Sequence, residues 1–308
     1  MLLAQAPAPV RSPELGASGE VTFRLRAPHA QEVLLSREGA QRVAMQKGEN
    51  GVWSLTLTGL APDYYGYSFI VDGVAHVDPA NPLRKPNLLN TSSLVEMPAN
   101  PAHPWEVQDV PRGTVHHHFY KSAIVGDHRD FYVYTPPGYN GKRKLPVLYL
   151  LHGFSDAANG WTAVGRAHVI FDNLLAAKQM EPMIVVMPLG YGAPEILNPS
   201  LNRREIGLFE RNRNRFAESL LNEVLPQVER EYAVDARRDK RAIAGLSMGG
   251  AQSLYIGLNH LDRFSYIGAF SSGGNSSDFR ATFPQLNEAS NKQIRRLWIA
   301  CGKDDFLF

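Results

Sequence analysis

From Glu20 to about Val95 apolar and polar residues take turns along the chain. Val21, Phe23 and Leu25 alternate with polar neighbours, as do Trp53, Leu55 and Leu57, the period of a strand with one buried face. Tyr64 to Val71 is an aromatic and β-branched run that meets Val74 across Asp72-Gly73. Both positions of a two-residue hairpin turn must accept positive φ, and Asp-Gly does so. Short strands with no helical period between them predict a small β-sandwich. Asp78-Pro79-Ala80-Asn81-Pro82 ends the regular pattern, and the aperiodic, proline-rich stretch Pro98–Pro111 suits a linker.

After about Val115 the period changes. Apolar runs at Phe131–Tyr134, Leu145–Leu151, Met183–Met187, Ala242–Ala244, Tyr266–Phe270 and Leu297–Cys301 alternate with helical patterns at His168–Lys178, Phe216–Glu231, Met248–Leu258 and Asn287–Arg295. Continuous apolar runs are read as strands covered on both faces, so this half is expected to be an α/β domain around a mainly parallel sheet. The resulting division is a flexible N-terminus over 1–19, an immunoglobulin-like β-sandwich over 20–97, a linker over 98–114 and the α/β domain over 115–308. There is no internal repeat and no low-complexity tract.

Composition narrows the classes. A length of 308 residues suits two domains at about 150 residues each. With 32 basic and 30 acidic side chains and a net charge of +2, no strong field draws the chain to nucleic acid or an anionic membrane, and neither is an expected partner. The single cysteine, Cys301, excludes an intrachain disulfide framework and a cysteine-based zinc cluster; ending an apolar strand, it reads as a buried small side chain rather than a reactive thiol. No apolar run approaches the roughly 18 residues of a membrane-spanning helix. At the N-terminus, Ala4-Gln5-Ala6 has the small-x-small form of a signal cleavage site, without the charged start and long apolar core of a signal. A secreted or periplasmic location is the expectation, with a disordered tail as the alternative.

The segment that carries chemistry is Arg241–Ala251, in which a short strand runs into Gly245-Leu246-Ser247-Met248-Gly249 and then at once into a helical pattern. A serine becomes a useful nucleophile when it projects from a tight strand-to-helix turn toward a base. The two glycines let neighbouring backbone pass close to the serine, and the helix N-terminus offers N–H groups to a developing oxyanion. Leu145–Leu151 ends in His152-Gly153-Phe154, the usual place for a second oxyanion donor, so the N–H groups of Phe154 and Met248 are the candidates. His152 is read as a structural histidine orienting this loop.

An acid is expected after the serine, at the end of a later strand, where Asp304 and Asp305 compete. A histidine base should follow the acid, yet all ten histidines precede Asp305. The run His116-His117-His118 is not read as a metal site, because adjacent strand residues point to opposite faces. Arg203, Arg204, Arg211, Arg213 and Arg215, with Glu205 and Glu210, read as a solvated loop and helix start.

These residues carry a resemblance. From about Gly113 to Phe308 the chain resembles the esterase D-like branch of the α/β-hydrolases, and within it carbohydrate esterase family one, the feruloyl and acetylxylan esterases. The matching pieces are Tyr134-Thr-Pro-Pro-Gly-Tyr139, Pro146–Phe154, Trp161, Phe171-Asp-Asn-Leu174, Pro182–Pro188, Gly245–Gly250 and Trp298–Asp305. The resemblance implies an α/β-hydrolase fold, Ser247 as nucleophile, Phe154 and Met248 as oxyanion donors, and Asp305, the fourth residue of a Gly-x-x-Asp turn, as the acid. It places the family's histidine further downstream, in a Gly-Gly-His type segment before a last helix. The chain is thus similar to a member cut before its final elements, and little turnover is expected of it.

The first domain resembles carbohydrate-binding module family forty-eight through Gly51-Val-Trp53, Leu60-Ala-Pro-Asp63, Tyr67-Ser-Phe69 and Asp72-Gly73. Trp53, Tyr64, Tyr65 and Tyr67 are candidates for a sugar-stacking platform, with core or interface packing the favoured reading. Together the resemblances imply a cofactor-free serine esterase of plant-cell-wall degradation, acting on feruloyl or acetyl esters of xylan-type polysaccharide. The alternatives are a siderophore (enterobactin-type) esterase and a carbohydrate-binding protein with an inactive hydrolase domain.

Overall fold

The computed structural model describes residues 9–202, 207–273 and 278–307. The chain forms two compact units, Met1–Glu106 and Val107–Phe308.

In the first unit the strands are β1 (Glu14–Leu15), β2 (Val21–Arg26), β3 (Val33–Arg37), β4 (Val43–Ala44), β5 (Gln46–Lys47), β6 (Val52–Leu57), β7 (Asp63–Val71), β8 (Val74–His76), β9 (Arg84–Lys85) and β10 (Ser92–Met97). One sheet has the order β1-β2-β6-β5 and the other β4-β3-β7-β10-β9, with β8 on β7. The inward positions of the alternating strands, Val21, Phe23, Leu25, Val33, Leu35, Tyr67 and Phe69, form the core between them. The β7–β8 turn has positive φ at both Asp72 (47°) and Gly73 (88°), and Val71 pairs with Val74 across it. The ordered sandwich begins earlier than the expected flexible tail over 1–19. Glu14 and Leu15 pair with β2, and the buried Ser12 donates to Asp78 Oδ2 at 2.5 Å. A polar anchor, invisible to hydrophobic periodicity, therefore fixes this segment.

The second unit adds β11 (Thr114–Lys121), β12 (His128–Thr135), β13 (Val147–Leu151), α1 (Gly160–Ala163), α2 (Ala167–Ala176), β14 (Ile184–Pro188), α3 (Leu208–Ser219), α4 (Leu225–Glu231), β15 (Arg241–Leu246), α5 (Met248–Asn259), β16 (Tyr266–Phe270), α6 (Phe279–Thr282) and β17 (Arg296–Ala300). Its sheet has the order β11-β12-β14-β13-β15-β16-β17. The pairs β11–β12 and β12–β14 are antiparallel and all the others parallel. This is the α/β-hydrolase architecture, with Val147, Tyr149, Leu151, Ile184, Val186, Ile243 and Ile267 packed with Phe216, Leu220, Val224 and Val228 in one core. The parallel pairing of β13 to β17 sets their carboxyl ends along one edge, and the strand order reverses between β13 and β15. In open α/β sheets that edge is where ligands bind.

Three expectations are corrected. The helix expected from Phe216 begins at Leu208; its first turns are mostly charged, and the buried face there runs Leu208, Asn212, Phe216 with a polar residue in the middle, which hides the apolar period. It reaches Glu231 only through one π-turn, Leu220–Val224. Pro226 lacks the N–H that a regular ladder would use just beyond that turn. The helix expected over Asn287–Arg295 is a single 3-10 stretch, Glu288–Lys292. There the Asn287 side chain accepts from Ala289 N–H and the Ser290 hydroxyl from Asn287 N–H, local bonds that compete with a longer helix. Finally, β17 is not covered on both faces: Leu297, Trp298 and Ile299 are 42%, 54% and 63% exposed at the end of the sheet.

Candidate active site

Ser247 stands between β15 and α5 with φ 55° and ψ −112°. A non-glycine residue in such a region stores about 1–3 kcal/mol and persists only where its surroundings hold it. They do so here. Ser247 N–H donates to Phe270 O at 2.9 Å, and its carbonyl accepts from Ala251 N–H at 3.1 Å and Gly273 N–H at 3.2 Å. The flanking glycines are required by close approach of backbone. A Cβ on Gly245 would lie 2.4 Å from the Gly249 carbonyl group, and one on Gly249 would lie 2.5 Å from Leu151 O and 2.6 Å from His152 O. The serine turn is therefore wedged against the end of β13.

That contact brings the two candidate oxyanion donors together. The space above Gly153 is bounded by the Ser247 side chain, 3.6 Å from where a Cβ would stand, so the Gly153–Phe154 peptide lies beside the serine. Met248 begins α5, where the first N–H groups have no partner within the helix. The side chains of Phe154 and Met248 pack against one small apolar cluster of Tyr191, Ala193, Ile196 and Leu208.

Asp305 closes a turn by donating its N–H to Gly302 O at 3.0 Å. Its carboxylate accepts from Leu307 N–H at 2.9 Å. That bond and a second one from the Ser271 hydroxyl hold the carboxyl below its usual range. Asp304, next to it, is exposed. Ser247 follows β15 and Asp305 follows β17, two strand spacings or about 10 Å apart across the sheet.

Six histidines of this unit, His116, His117, His118, His152, His168 and His260, lie in β11, in the loop after β13, in α2 and at the end of α5. His152, 2% exposed, spends both ring nitrogens on backbone: Nδ1 lies 2.8 Å from Gly153 O, and Nε2 accepts Gly190 N–H at 2.8 Å. Burial depresses its pKa. His260 ends α5, at the opposite end from Ser247, and His168 lies in α2. On β11, His116 and His118 share one face, 6.5 Å apart, while His117 stacks on Tyr132 at 4.0 Å and meets Asp130 Oδ2 at 2.8 Å. Among the described residues no group of three or more His, Cys, Asp or Glu side chains is arranged to hold a metal ion.

The remaining candidates are scattered. Trp53 is buried in the sandwich core, its Nε1 donating to Ala27 O at 2.9 Å. Tyr65 is half-buried on β7, in the other sheet, and its hydroxyl donates to Ala61 O at 2.9 Å. The two rings do not form one platform, and Tyr67 is core. Cys301 is half-buried just past β17. Arg203, Arg204 and Glu205 lie outside the described residues. Arg211 pairs with Glu195 at 2.8 Å, as a solvated side chain would. Arg213 instead lies over the Tyr255 ring at 4.0 Å, and Arg215 donates to the carbonyls of Ile124 and Val125 at 2.7 and 3.2 Å, so these two tie α3 to its neighbours. Two supporting residues escaped sequence reasoning. Gln252 donates to Gly190 O at 2.8 Å, and Ser271 holds Asp305. Neither lies in a motif, and only the strand order brings them to the site.

Comparison with known proteins agrees with this architecture. Residues 10–81 match Carbohydrate-binding module 48 (isoamylase N-terminal domain). Over 302 residues the chain is 30% identical to an endo-1,4-beta-xylanase/feruloyl esterase of Xylanibacter ruminicola, an alignment covering 94% of this chain and 39% of that protein. The chain therefore spans about two fifths of that relative's length. A ferulic acid esterase of Anaeromyces mucronatus, solved with ferulic acid, superposes with a TM-score of 0.55 at 26% identity, over 64% of this chain and 75% of that one. An enterochelin esterase of Shigella flexneri shares the fold, with a TM-score of 0.64 at 20% identity over 94% of this chain and 88% of that one. Residues 122–305, which hold the Ser247 turn, its neighbouring loop and Asp305, match the family described as Putative esterase, and the chain belongs to that family.

Proposed function

We propose that the chain is the esterase portion of a plant-cell-wall-degrading protein, hydrolysing feruloyl or acetyl esters on xylan-type polysaccharide. The observation that carries this reading is the strained Ser247 at the strand-to-helix turn, set against the Gly153–Phe154 peptide. In the proposed reaction Ser247 Oγ attacks the ester carbonyl, and the N–H groups of Phe154 and Met248 take up the charge on the carbonyl oxygen. The alcohol leaves with a proton, and water releases the acid from the acyl-serine. Asp305 orients and balances the imidazole that carries these protons. A polysaccharide substrate is consistent with an exported protein.

The test is hydrolysis of methyl ferulate, with and without added imidazole, by the chain and its Ser247→Ala variant. Release that rises with imidazole and disappears with Ser247→Ala is expected, as is labelling of Ser247 by a fluorophosphonate. Release untouched by the substitution would refute the reading. Likeness to the enterochelin esterase fold over 94% of the chain favours one second reading, a siderophore esterase. Preference for a cyclic catecholate triester over feruloyl esters would establish it.

A further inference from the structure

We infer that His152 is a positioning residue that sets the orientation of the Phe154 N–H as an oxyanion donor, by holding the carbonyl of the same peptide unit. The inference rests on the assignment of Phe154 to the oxyanion site. The geometry leaves little freedom. Gly190 N–H can only donate, so His152 Nε2, 2.8 Å away, accepts and carries no proton. The Gly153 carbonyl can only accept, so Nδ1, also at 2.8 Å, donates to it. One neutral tautomer meets both demands. In the trans peptide between Gly153 and Phe154, the C=O and N–H point in opposite directions. Holding the oxygen toward the buried imidazole therefore turns the Phe154 N–H away from it, on a peptide that lies beside Ser247.

The imidazole is itself held in place. Gly190 is gripped on both sides, its N–H by His152 and its carbonyl by Gln252 of α5 at 2.8 Å, five residues beyond the serine. A Cβ there would stand 3.3 Å from Gln252 Oε1 and 3.4 Å from His152 Nε2, so glycine keeps the clamp closed. The Tyr191 ring lies 5.3 Å from the imidazole. The charged groups that face it are Asp156 from its own loop and Arg129 and Asp130 from β12. A proton on Nε2 would set donor against donor at Gly190 and loosen the clamp.

Two substitutions separate the roles of the ring's nitrogens. In His152→Asn the amide nitrogen replaces Nδ1 and can still donate to Gly153 O, while the bond to Gly190 is lost. In His152→Gln the amide oxygen replaces Nε2 and can still accept from Gly190, while the donation to Gly153 is lost. With methyl ferulate and imidazole, His152→Gln is expected to lower kcat on the order of 100-fold at unchanged KM, the size of effect known for an oxyanion donor. His152→Asn should stay within about tenfold of the parent. Equal losses in the two variants, or losses confined to KM, would overturn the inference. A readout independent of turnover is the Phe154 amide resonance in 1H–15N spectra, which should move in the Gln variant and not in the Asn variant. Should neither variant fold, imidazole 15N spectra of the parent decide, since a proton on Nε2 at neutral pH would refute the tautomer. Failure of the esterase reading looks different: Ser247→Ala would leave hydrolysis intact while the His152 and Phe154 resonances kept the pattern described.

Discussion

A Cβ on Gly249 would fall 2.5 Å from the carbonyl oxygen of Leu151, backbone against backbone, where no flexible side chain can give way. Gly249→Ala must then push α5 off the end of β13. The expected loss is at least the ~1–3 kcal/mol of an overpacked core, seen as a lower midpoint in urea unfolding. Because the same contact seats the serine turn, fluorophosphonate labelling of Ser247 should fall as well. An alanine variant with parental stability and labelling would show that the wedge is dispensable.

The two adjacent aspartates should separate cleanly. Asp305 is held by Leu307 N–H and by the Ser271 hydroxyl, whereas Asp304 is exposed. Asp305→Asn is expected to remove most of the imidazole-stimulated, Ser247-dependent hydrolysis, a loss of at least about tenfold, because no carboxylate then orients the base. Asp304→Asn should change it by no more than about twofold, in line with most surface substitutions. Rates measured in the presence of imidazole compare the pair directly, and equal effects would reassign the acid.

Glu223 illustrates a carboxylate whose role is architectural. Burial alone would raise its pKa, but bonds from the Ser122 and Ser219 hydroxyls, at 2.6 and 2.7 Å, and from the Ile124 and Ala123 amides outweigh that and lower it. It ties the β11–β12 turn to the helix at the π-turn. Glu223→Ala should destabilise the unit by roughly 1–2 kcal/mol, discounted for its partial exposure. Urea unfolding would report this, with hydrolysis per folded molecule unchanged.

Acid should weaken the fold in two stages. His118, His152, His168 and His260 are all held below the ordinary histidine value, chiefly by burial. Above the unfolded value of about 6.5 both states are neutral and their contribution is fully present. As pH falls below that, the unfolded chain takes up protons that the folded chain refuses, and stability is lost. The lowered carboxylates Glu223, Asp235 and Asp305 extend the loss below about pH 4. Tm should be nearly flat from pH 7 to 8 and decline from pH 6.5 to 5. A Tm that rose toward pH 5 would contradict these environments.

Much of this molecule was legible in its sequence because the relevant signals are local. The alternation of Val21, Phe23 and Leu25, the Asp72-Gly73 turn and the strand running into Gly245–Gly249 each reflect constraints within a few residues. What stayed hidden depends on neighbours distant in the chain. The Ser12–Asp78 bond spans 66 positions, and no periodicity announces it. The clamp on Gly190 draws on residues 152 and 252. Trp53 matches a module motif whichever way its ring points, and only the fold shows it in the core. The apolar run in β17 was a correct sign of a strand but an unreliable sign of cover.

That last strand has a physical consequence for how the protein behaves in solution. β17 pairs with β16 along one side and, among the described residues, is the last strand of the sheet, with Leu297, Trp298 and Ile299 open to water. A strand in that state is a template for another strand, since its outward N–H and C=O groups can be completed by any extended peptide and its apolar side chains gain by being covered. Chains that meet edge to edge would continue the sheet from one molecule into the next. Light scattering by the 308-residue chain should therefore grow with concentration and with sulfate, and a lysine at Ile299 should suppress it by making the edge repel its own kind.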